Sequence, residues 1–417
     1  IVALALSAAL LRWRSPLLMI VPNLLIASFL SPFDEGDTAR ISLIMLSWMI
    51  TILIVALYMR QRGIRIDGFE EVSANHARMT PQRMFRLGIA ILALMVAFSI
   101  WLSQAGVNQF DSAKRVRDAG QWFNLANALI GVFLMHSIVV LSLFRLRVSN
   151  PHIVMAVLSF AVIFLIGYMS GSRGLFTVPI MTIFFLRLVR ISSAYKRTKL
   201  LIAFSALSAF TLVVMALISA NRQGDEGIAV GFQIFGEQLS NSASGYGISP
   251  VKDAIIWEYS EQRRIPEVGI VLLGGFYGLV PRTLWPSKPT FVSTGPIAGA
   301  FVFREMSYVD QGAGIPVSMP SEIALAFGSA WFMPGFIAAG LLMALVAVLF
   351  QPYPFLIFAS FTFYSGLMSH GLPKSQVALL LDVVTLLILV WVVGFRFVRI
   401  NRQQARAAAR RKNAAHT

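Results

Sequence analysis

The stretch "ISLIMLSWMITILIVALYM", residues 41–59, contains no charged side chain. A helix of about 20 apolar residues is long enough to cross the hydrocarbon core of a bilayer. Similar runs recur at 16–30, 84–104, 122–144, 152–169, 175–189, 199–219, 323–350, 353–370 and 377–395. A shorter run at 1–11 reads as a first helix truncated upstream. The pattern predicts an all-α polytopic membrane protein with about 11 transmembrane helices.

The composition limits the kinds of catalysis and metal binding that the chain can perform. Hydrophobic residues make up 57% of the 417 positions and charged residues only 13%. The chain contains no cysteine, which excludes disulfides, thiol catalysis and cysteine metal sites. Its five histidines show no ligand spacing, so we expect neither a cofactor nor a metal.

The charges divide between two alternating sets of connections. One set, with the tail, carries 22 Lys or Arg against 3 acidic residues, and the other carries 13 against 15. Cytoplasmic loops are the ones enriched in Lys and Arg. The first set is therefore predicted to be cytoplasmic, and the tail "RINRQQARAAARRK" (399–412) to face anionic lipid. This distribution argues against a nucleic-acid partner despite the net charge of +16.

Four segments follow from this topology. Residues 1–219 are predicted to form an N-terminal transmembrane bundle and 323–395 the C-terminal transmembrane helices. Residues 220–322 are predicted to form one large periplasmic loop, and 396–417 a basic cytoplasmic tail. Within the loop, the apolar stretch 268–280 is too short to span and predicts an interfacial or re-entrant segment.

Four cations on the outer side are candidate anion ligands. Arg173 lies in the short turn "GYMSGSRGLF", and Arg222 directly follows a span. Arg282 and Lys288 lie in "GLVPRTLWPSKPT" (278–290), whose prolines restrict the backbone. Arginine binds phosphate through paired N–H groups. The structural alternatives are interfacial anchoring and helix capping.

Two outer residues are candidate general bases. Glu322 in "SMPSEIALAFG" is predicted to open a long apolar helix, and His370 in "MSHGLPK" to end the next-to-last span. Each could instead complement a helix dipole. Asp382, about six residues inside the last predicted span, is a further functional candidate or a partner for Lys374. His136 is expected to be a packed polar residue.

The motifs "PRTLWPSKP", "MPSEIALAFG" and "SGSRG" resemble those of the bacterial Wzy-type O-antigen polymerases, which polymerise oligosaccharide repeat units. The resemblance implies a GT-C-like glycosyltransferase of the bacterial inner membrane. Its donor and acceptor would both be oligosaccharides on undecaprenyl pyrophosphate. A chain-length regulator and a flippase are the further partners that it implies.

The resemblance gives the candidate residues roles. Arg173, Arg222 and Arg282, with Lys288, would stabilise the charge on the pyrophosphates. Glu322 or His370 would take the proton from the acceptor hydroxyl. Trp285, Phe276 and Tyr277 are candidates for stacking on sugar or prenyl, or for membrane anchoring.

Three other functions remain open from the sequence. An O-antigen ligase would use the same arginines and differ in its acceptor, lipid A core. A flippase or transporter of lipid-linked sugars would place charges along the inner half of several spans. A metal-dependent GT-C transferase would use Asp34 and Asp37 in "SPFDEGDTAR", where Glu35 lies between them.

Overall fold

A computed structural model describes residues 38–64, 81–104, 250–273, 294–302, 317–350 and 366–393. It also describes short stretches of one to four residues at 17, 132, 195, 198–199, 202, 213–214, 216–217, 280, 284–287 and 363–364. Across this described part the regular structure is entirely helical. Several predicted features lie outside the described part: residues 1–11, the acidic loop with Asp34, His136 and the tail 396–417. Nearly all residues of the predicted spans between 122 and 219 also lie outside it.

Eight helices are described from their first to their last residue, together with one 3-10 turn. In chain order they are α1 Thr38–Gln61, α2 Pro81–Gln104, α3 Pro250–Gln262, α4 Pro266–Leu273, α5 Thr294–Phe301, α6 Met319–Phe327, α7 Phe332–Phe350 and α8 Gly371–Val393. The 3-10 turn Ser329–Trp331 leads into α7.

Within the described residues, three segments are long and apolar enough to cross a membrane: α1, the 3-10 turn with α7, and most of α8 (Gly371–Leu389). Each carries large apolar side chains that are exposed. On α1 they recur with helical spacing at Leu43, Leu46, Ile50, Ile54 and Leu57. Such stripes are unfavourable in water and suit contact with lipid chains. The chain is therefore a multi-pass membrane protein.

Helices α1 and α7 pack side by side and run in the same direction. The rings of Trp48 and Phe336 meet edge to face with centroids 5.0 Å apart. One turn further along both helices, Gly340 lies against Thr51, where an added Cβ would come within 3.1 Å of the threonine Cγ2. A small residue at this crossing lets the two backbones approach closely, as is common between membrane helices.

The apolar run predicted as one span from 323 to 350 is divided in the structure, and Glu322 therefore does not open the long helix. Gly328 ends α6 with φ of 106°, a conformation that glycine adopts without a steric penalty. Its N–H donates to the Ala324 carbonyl at 2.7 Å. The side chain of Arg264 packs where a Cβ of residue 328 would point, 2.9 Å from its Nε. The membrane segment begins only at Ser329.

The short helices α3 to α6 form a layer over one end of the bundle. A second apolar cluster holds them together, in which Ile256, Val268, Ile297 and Leu325 are buried. The N–H of Ile265 donates to the Leu325 carbonyl at 2.8 Å, which fixes the α3–α4 connection on α6. Helix α4 covers the first part of the predicted interfacial segment, and residues 274–279 lie outside the described part.

Helix α3 contacts the N-terminal ends of two membrane helices. Arg40, near the start of α1, forms an ion pair with Glu261 at 3.2 Å. Trp257 stacks on Phe332, the first residue of α7, with ring centroids 4.6 Å apart. Helix α8 also begins in this layer, because Leu372 bonds to α6. The starts of α1, α7 and α8 therefore lie at one end of the bundle.

Candidate functional site

The layer contains a buried polar cluster, and Glu322 lies at its centre. The Glu322 side chain is fully buried, and its Oε2 accepts a 2.7 Å hydrogen bond from the Leu372 N–H. Leu372 is in the first turn of α8, where backbone N–H groups lack intrahelical acceptors. A carboxyl oxygen there satisfies one such donor. Glu322 therefore joins α6 to the start of α8.

Gly371 makes this contact possible. Its φ is 76°, and a Cβ built on it would overlap the Glu322 carboxylate. The glycine thus has both a backbone conformation and a lack of volume that another residue would not reproduce. Ser375 further braces this turn, since its hydroxyl donates to the Gly371 carbonyl.

The second oxygen of Glu322 has no matched donor. Glu322 Oε1 and Thr294 Oγ1 are both buried without a partner at hydrogen-bonding geometry in the described part of the chain. The threonine hydroxyl is nevertheless close enough to influence the carboxyl group. Burial raises the pKa of Glu322 to about 8, and Thr294, the Leu372 N–H and Lys374 oppose that rise. At neutral pH the group is therefore mostly protonated.

A second buried carboxyl group, Asp253 on α3, lies at the start of α6 and is close enough to Glu322 to act on it electrostatically. Its Oδ1 accepts hydrogen bonds from the hydroxyls of Ser318, at 2.8 Å, and Ser321, at 2.5 Å. Its Oδ2 has no partner in the described residues. Burial raises the pKa of Asp253 to about 6, and the two serine hydroxyls oppose the rise.

The segment "SMPSE" (318–322) explains why α6 holds both carboxyl groups. Ser318 occupies the N-cap position, but its hydroxyl makes no capping bond and donates to Asp253 instead. Pro320 in the first turn suits a helix start, because proline needs no N–H acceptor there. Pro320 also packs against Gly335 of α7, where an added Cβ would lie 2.7 Å from its Cα. The first turn of α6 therefore packs against α7.

Asp253 was not among the residues that the sequence singled out. It lies in the long loop, where acidic residues are usually solvated. A signal exists in "PVKDAIIWEYSEQ": Asp253, Ile256 and Ser260 share one helical face, and all three are buried. An acidic residue in register with an apolar helical face predicts a buried carboxyl group.

His370 lies beside this cluster but differs in exposure. Its side chain is exposed, and its backbone N–H donates to the Gly366 carbonyl at 2.7 Å. Crowding by neighbouring protein and the cationic Lys374 lower the pKa of His370, although part of the side chain reaches solvent. The imidazole is therefore neutral near pH 7.

Asp382 is remote from the cluster. Because α8 begins at Gly371 rather than near 377, Asp382 lies eleven residues along it and not about six. At 1.5 Å per residue this is roughly 16 Å from the helix start. The side chain is buried at 1% exposure. Lys374 influences Glu322 electrostatically and is about 12 Å along the axis from Asp382.

The four candidate anion ligands Arg173, Arg222, Arg282 and Lys288 lie outside the described residues, as do Phe276 and Tyr277. Trp285 is described: it is partly exposed, and its indole N–H donates to Ser287 Oγ at 3.1 Å. Among the described residues there is no group of three or more His, Asp or Glu side chains that could hold a metal ion.

No family model, curated protein or solved structure matches this chain. What the site can do is therefore inferred from its own residues. Two buried carboxyl groups with raised pKa values lie near the first turn of α6, and one of them, Glu322, bonds to the turn that follows the exposed His370. Pairs of titratable groups in contrasting environments are typical of acid–base catalysis, and they also occur as structural networks.

Proposed function

We propose that the protein is a glycosyltransferase of the bacterial inner membrane with a GT-C-like fold. It polymerises oligosaccharide repeat units carried on undecaprenyl pyrophosphate, on the periplasmic side. The observation that carries this proposal is the link between exposed His370 and buried Glu322 at one end of the bundle. Glu322 lies in the motif "MPSEIALAFG", which resembles a motif of the polymerases.

The helix directions support the topology. The charge pattern requires the spans that begin near 41, 323 and 377 to enter from the same, periplasmic side. Helices α1 and α7 are parallel, and α8 starts in the same layer. The polar cluster then lies at the periplasmic end, where the long loop 220–322 also belongs.

His370 is the better placed of the two candidate bases. A general base must come within hydrogen-bonding reach of the proton that it removes. His370 is exposed, whereas Glu322 is fully buried. Glu322 instead fixes the turn that follows His370, through Gly371 and Leu372. We assign proton removal to His370 and positioning of that turn to Glu322.

The reaction is a displacement at the anomeric carbon of the donor glycan. His370 removes the proton from the hydroxyl of the acceptor sugar, and the oxygen attacks that carbon. The bond from carbon to pyrophosphate oxygen breaks, and the electron pair leaves with undecaprenyl pyrophosphate. Arg173, Arg222, Arg282 and Lys288 are proposed to stabilise the departing charge, which would need no metal ion. The donor already carries its activation, so no nucleotide sugar is consumed.

The test offers purified protein in proteoliposomes both acceptors at once, lipid-linked repeat units and lipid A core. The proposal expects a ladder of lipid-linked polymers, also in the presence of EDTA. Transfer of glycan onto lipid A core alone would make the protein a ligase. Movement of intact lipid-linked units across the bilayer without a new glycosidic bond would make it a flippase. Activity lost in EDTA and restored by magnesium would favour the metal-dependent enzyme using Asp34 and Asp37.

A further inference from the structure

A second polar site lies apart from the carboxyl cluster, in a cleft of about 300 Å3. The cleft lies between the end of α3 and the break that separates α6 from α7. Its walls include Arg263, Arg264, Phe327, Ser329 and Trp331. The function proposed above uses none of these residues.

The cleft carries positive charge that the described residues do not neutralise. Arg263 and Arg264 are both exposed, and neither has a carboxylate within ion-pair distance in the described part of the chain. The acidic residue at the rim, Glu261, is already paired with Arg40 at 3.2 Å. Two adjacent guanidinium groups therefore remain available to an anion.

The position of the cleft is at the membrane surface. Its wall contains Ser329, where the membrane segment of α7 begins. Phe327 and Trp331 are 50% and 54% exposed, and their ring centroids are 6.3 Å apart. Aromatic side chains concentrate at the level of lipid headgroups, where an apolar face and a polar edge are both satisfied. At that level of a membrane the anionic groups are lipid phosphates.

The position of one cationic side chain in the cleft, Arg264, is restricted by a contact within the protein. The Arg264 side chain rests on the backbone at Gly328, where an added Cβ would lie 2.9 Å from Nε. Contact with the positive-φ glycine restricts the guanidinium group. A restricted guanidinium loses less freedom on binding, and its planar fork matches two phosphate oxygens.

We propose that this cleft binds the phosphate of an anionic membrane phospholipid in the leaflet that contacts the α3–α6 layer. Arg263 and Arg264 hold the phosphate, and the exposed rings of Phe327 and Trp331 contact the glycerol and upper chain. The site anchors the layer to the bilayer next to the polar cluster. It does not depend on the glycosyltransferase proposal, because it requires only a membrane with anionic lipid.

Native mass spectrometry of the full-length protein in detergent tests this site. Phosphatidylglycerol and phosphatidylcholine are added at equal concentration, and retained lipid is counted. Selective retention of phosphatidylglycerol is expected, with at least a tenfold loss in R263Q/R264Q. R264K should retain an intermediate amount, because lysine keeps the charge but lacks the fork. R62Q is the matched control, since Arg62 is an exposed cation at the far end of α1.

Two competition arms identify the source of the phosphate. Neither inorganic phosphate at millimolar concentration nor a short-chain prenyl pyrophosphate at equal concentration should displace phosphatidylglycerol. Displacement by inorganic phosphate would show a site for free phosphate and overturn the lipid assignment. Displacement by the prenyl pyrophosphate would assign the cleft to the lipid-linked substrate. Equal retention in the wild type, R62Q and R263Q/R264Q would remove the site.

Discussion

The Leu372 N–H donates a 2.7 Å hydrogen bond to Glu322 Oε2, between residues fifty positions apart in the chain. The bond joins the short helix α6 to the first turn of α8, immediately after the exposed His370. Because Glu322 is fully buried, its carboxyl group is shielded from competing water. The orientation of the His370 turn therefore depends on a side chain from a distant part of the chain.

Gly371→Ala is expected to destabilise the protein much more than Gly63→Ala. Both glycines have positive φ, 76° and 71°. An alanine in that conformation costs about 1–2 kcal/mol at either position. At Gly371 the new methyl group would also overlap the Glu322 carboxylate, whereas at Gly63 it would meet nothing within 4 Å. Thermal unfolding of the purified variants measures the difference, and equal shifts would mean that the Gly371 contact is not tight.

Stability is expected to fall as the pH rises from about 4 to about 8. Burial raises the pKa of Asp253 from 3.8 to about 6 and that of Glu322 from 4.5 to about 8. Between each pair of values the folded state binds more protons than the unfolded state, so the free energy of unfolding decreases with pH. Unfolding temperatures measured across this range should show the decline.

The contributions of the two carboxyl groups to this pH dependence can be measured separately. Glu322→Gln should remove the decline between about pH 6 and 8 and part of the decline below pH 6, whereas Asp253→Asn should reduce the decline only between about pH 4 and 6. An unchanged slope above pH 6 in Glu322→Gln would show that this carboxyl group titrates in its ordinary range.

Ser321→Ala should cost more stability than Ser260→Ala. Both hydroxyls lie in buried residues, and both donate one short hydrogen bond. Ser321 donates to the Asp253 carboxylate, and Ser260 to the Trp257 carbonyl on its own helix. Bonds to charged groups contribute about 1.5–3 kcal/mol and neutral ones about 0.5–1.5 kcal/mol. Above pH 6 the difference should be measurable by denaturation, and it should vanish in an Asp253→Asn background; its persistence there would argue against the assigned acceptor.

The sequence predicts the membrane helices well where a long apolar run decides the outcome. The run 41–59 corresponds to α1, Thr38–Gln61. The prediction succeeds because the length of the uncharged run matches the length of helix that crosses a bilayer. The break at Gly328 escapes such a prediction, since small and apolar residues continue through it and hydropathy carries no information about φ. The contacts of Glu322 with Thr294 and Leu372 are also hidden, because they join segments that are distant in sequence.

The absence of cysteine from the chain allows a direct test of topology. Single cysteines replace Glu258, exposed on α3, and Arg62, exposed just beyond the end of α1. A membrane-impermeant maleimide should label position 258 in cells whose outer membrane alone is permeable. Position 62 should react only after the inner membrane is opened. Labelling in the reverse order would place the polar cluster on the cytoplasmic side.

The most direct test of the proposed mechanism is the initial rate of polymer formation by His370→Gln and Glu322→Gln in proteoliposomes with lipid-linked repeat units. General-base catalysis contributes about 10²–10⁴-fold to rates. His370→Gln should therefore lose at least a hundredfold while unfolding at the wild-type temperature. Glu322→Gln should lose less, since glutamine can still accept the Leu372 hydrogen bond. A wild-type rate in His370→Gln would contradict the account, and complete loss confined to Glu322→Gln would transfer the base to that residue.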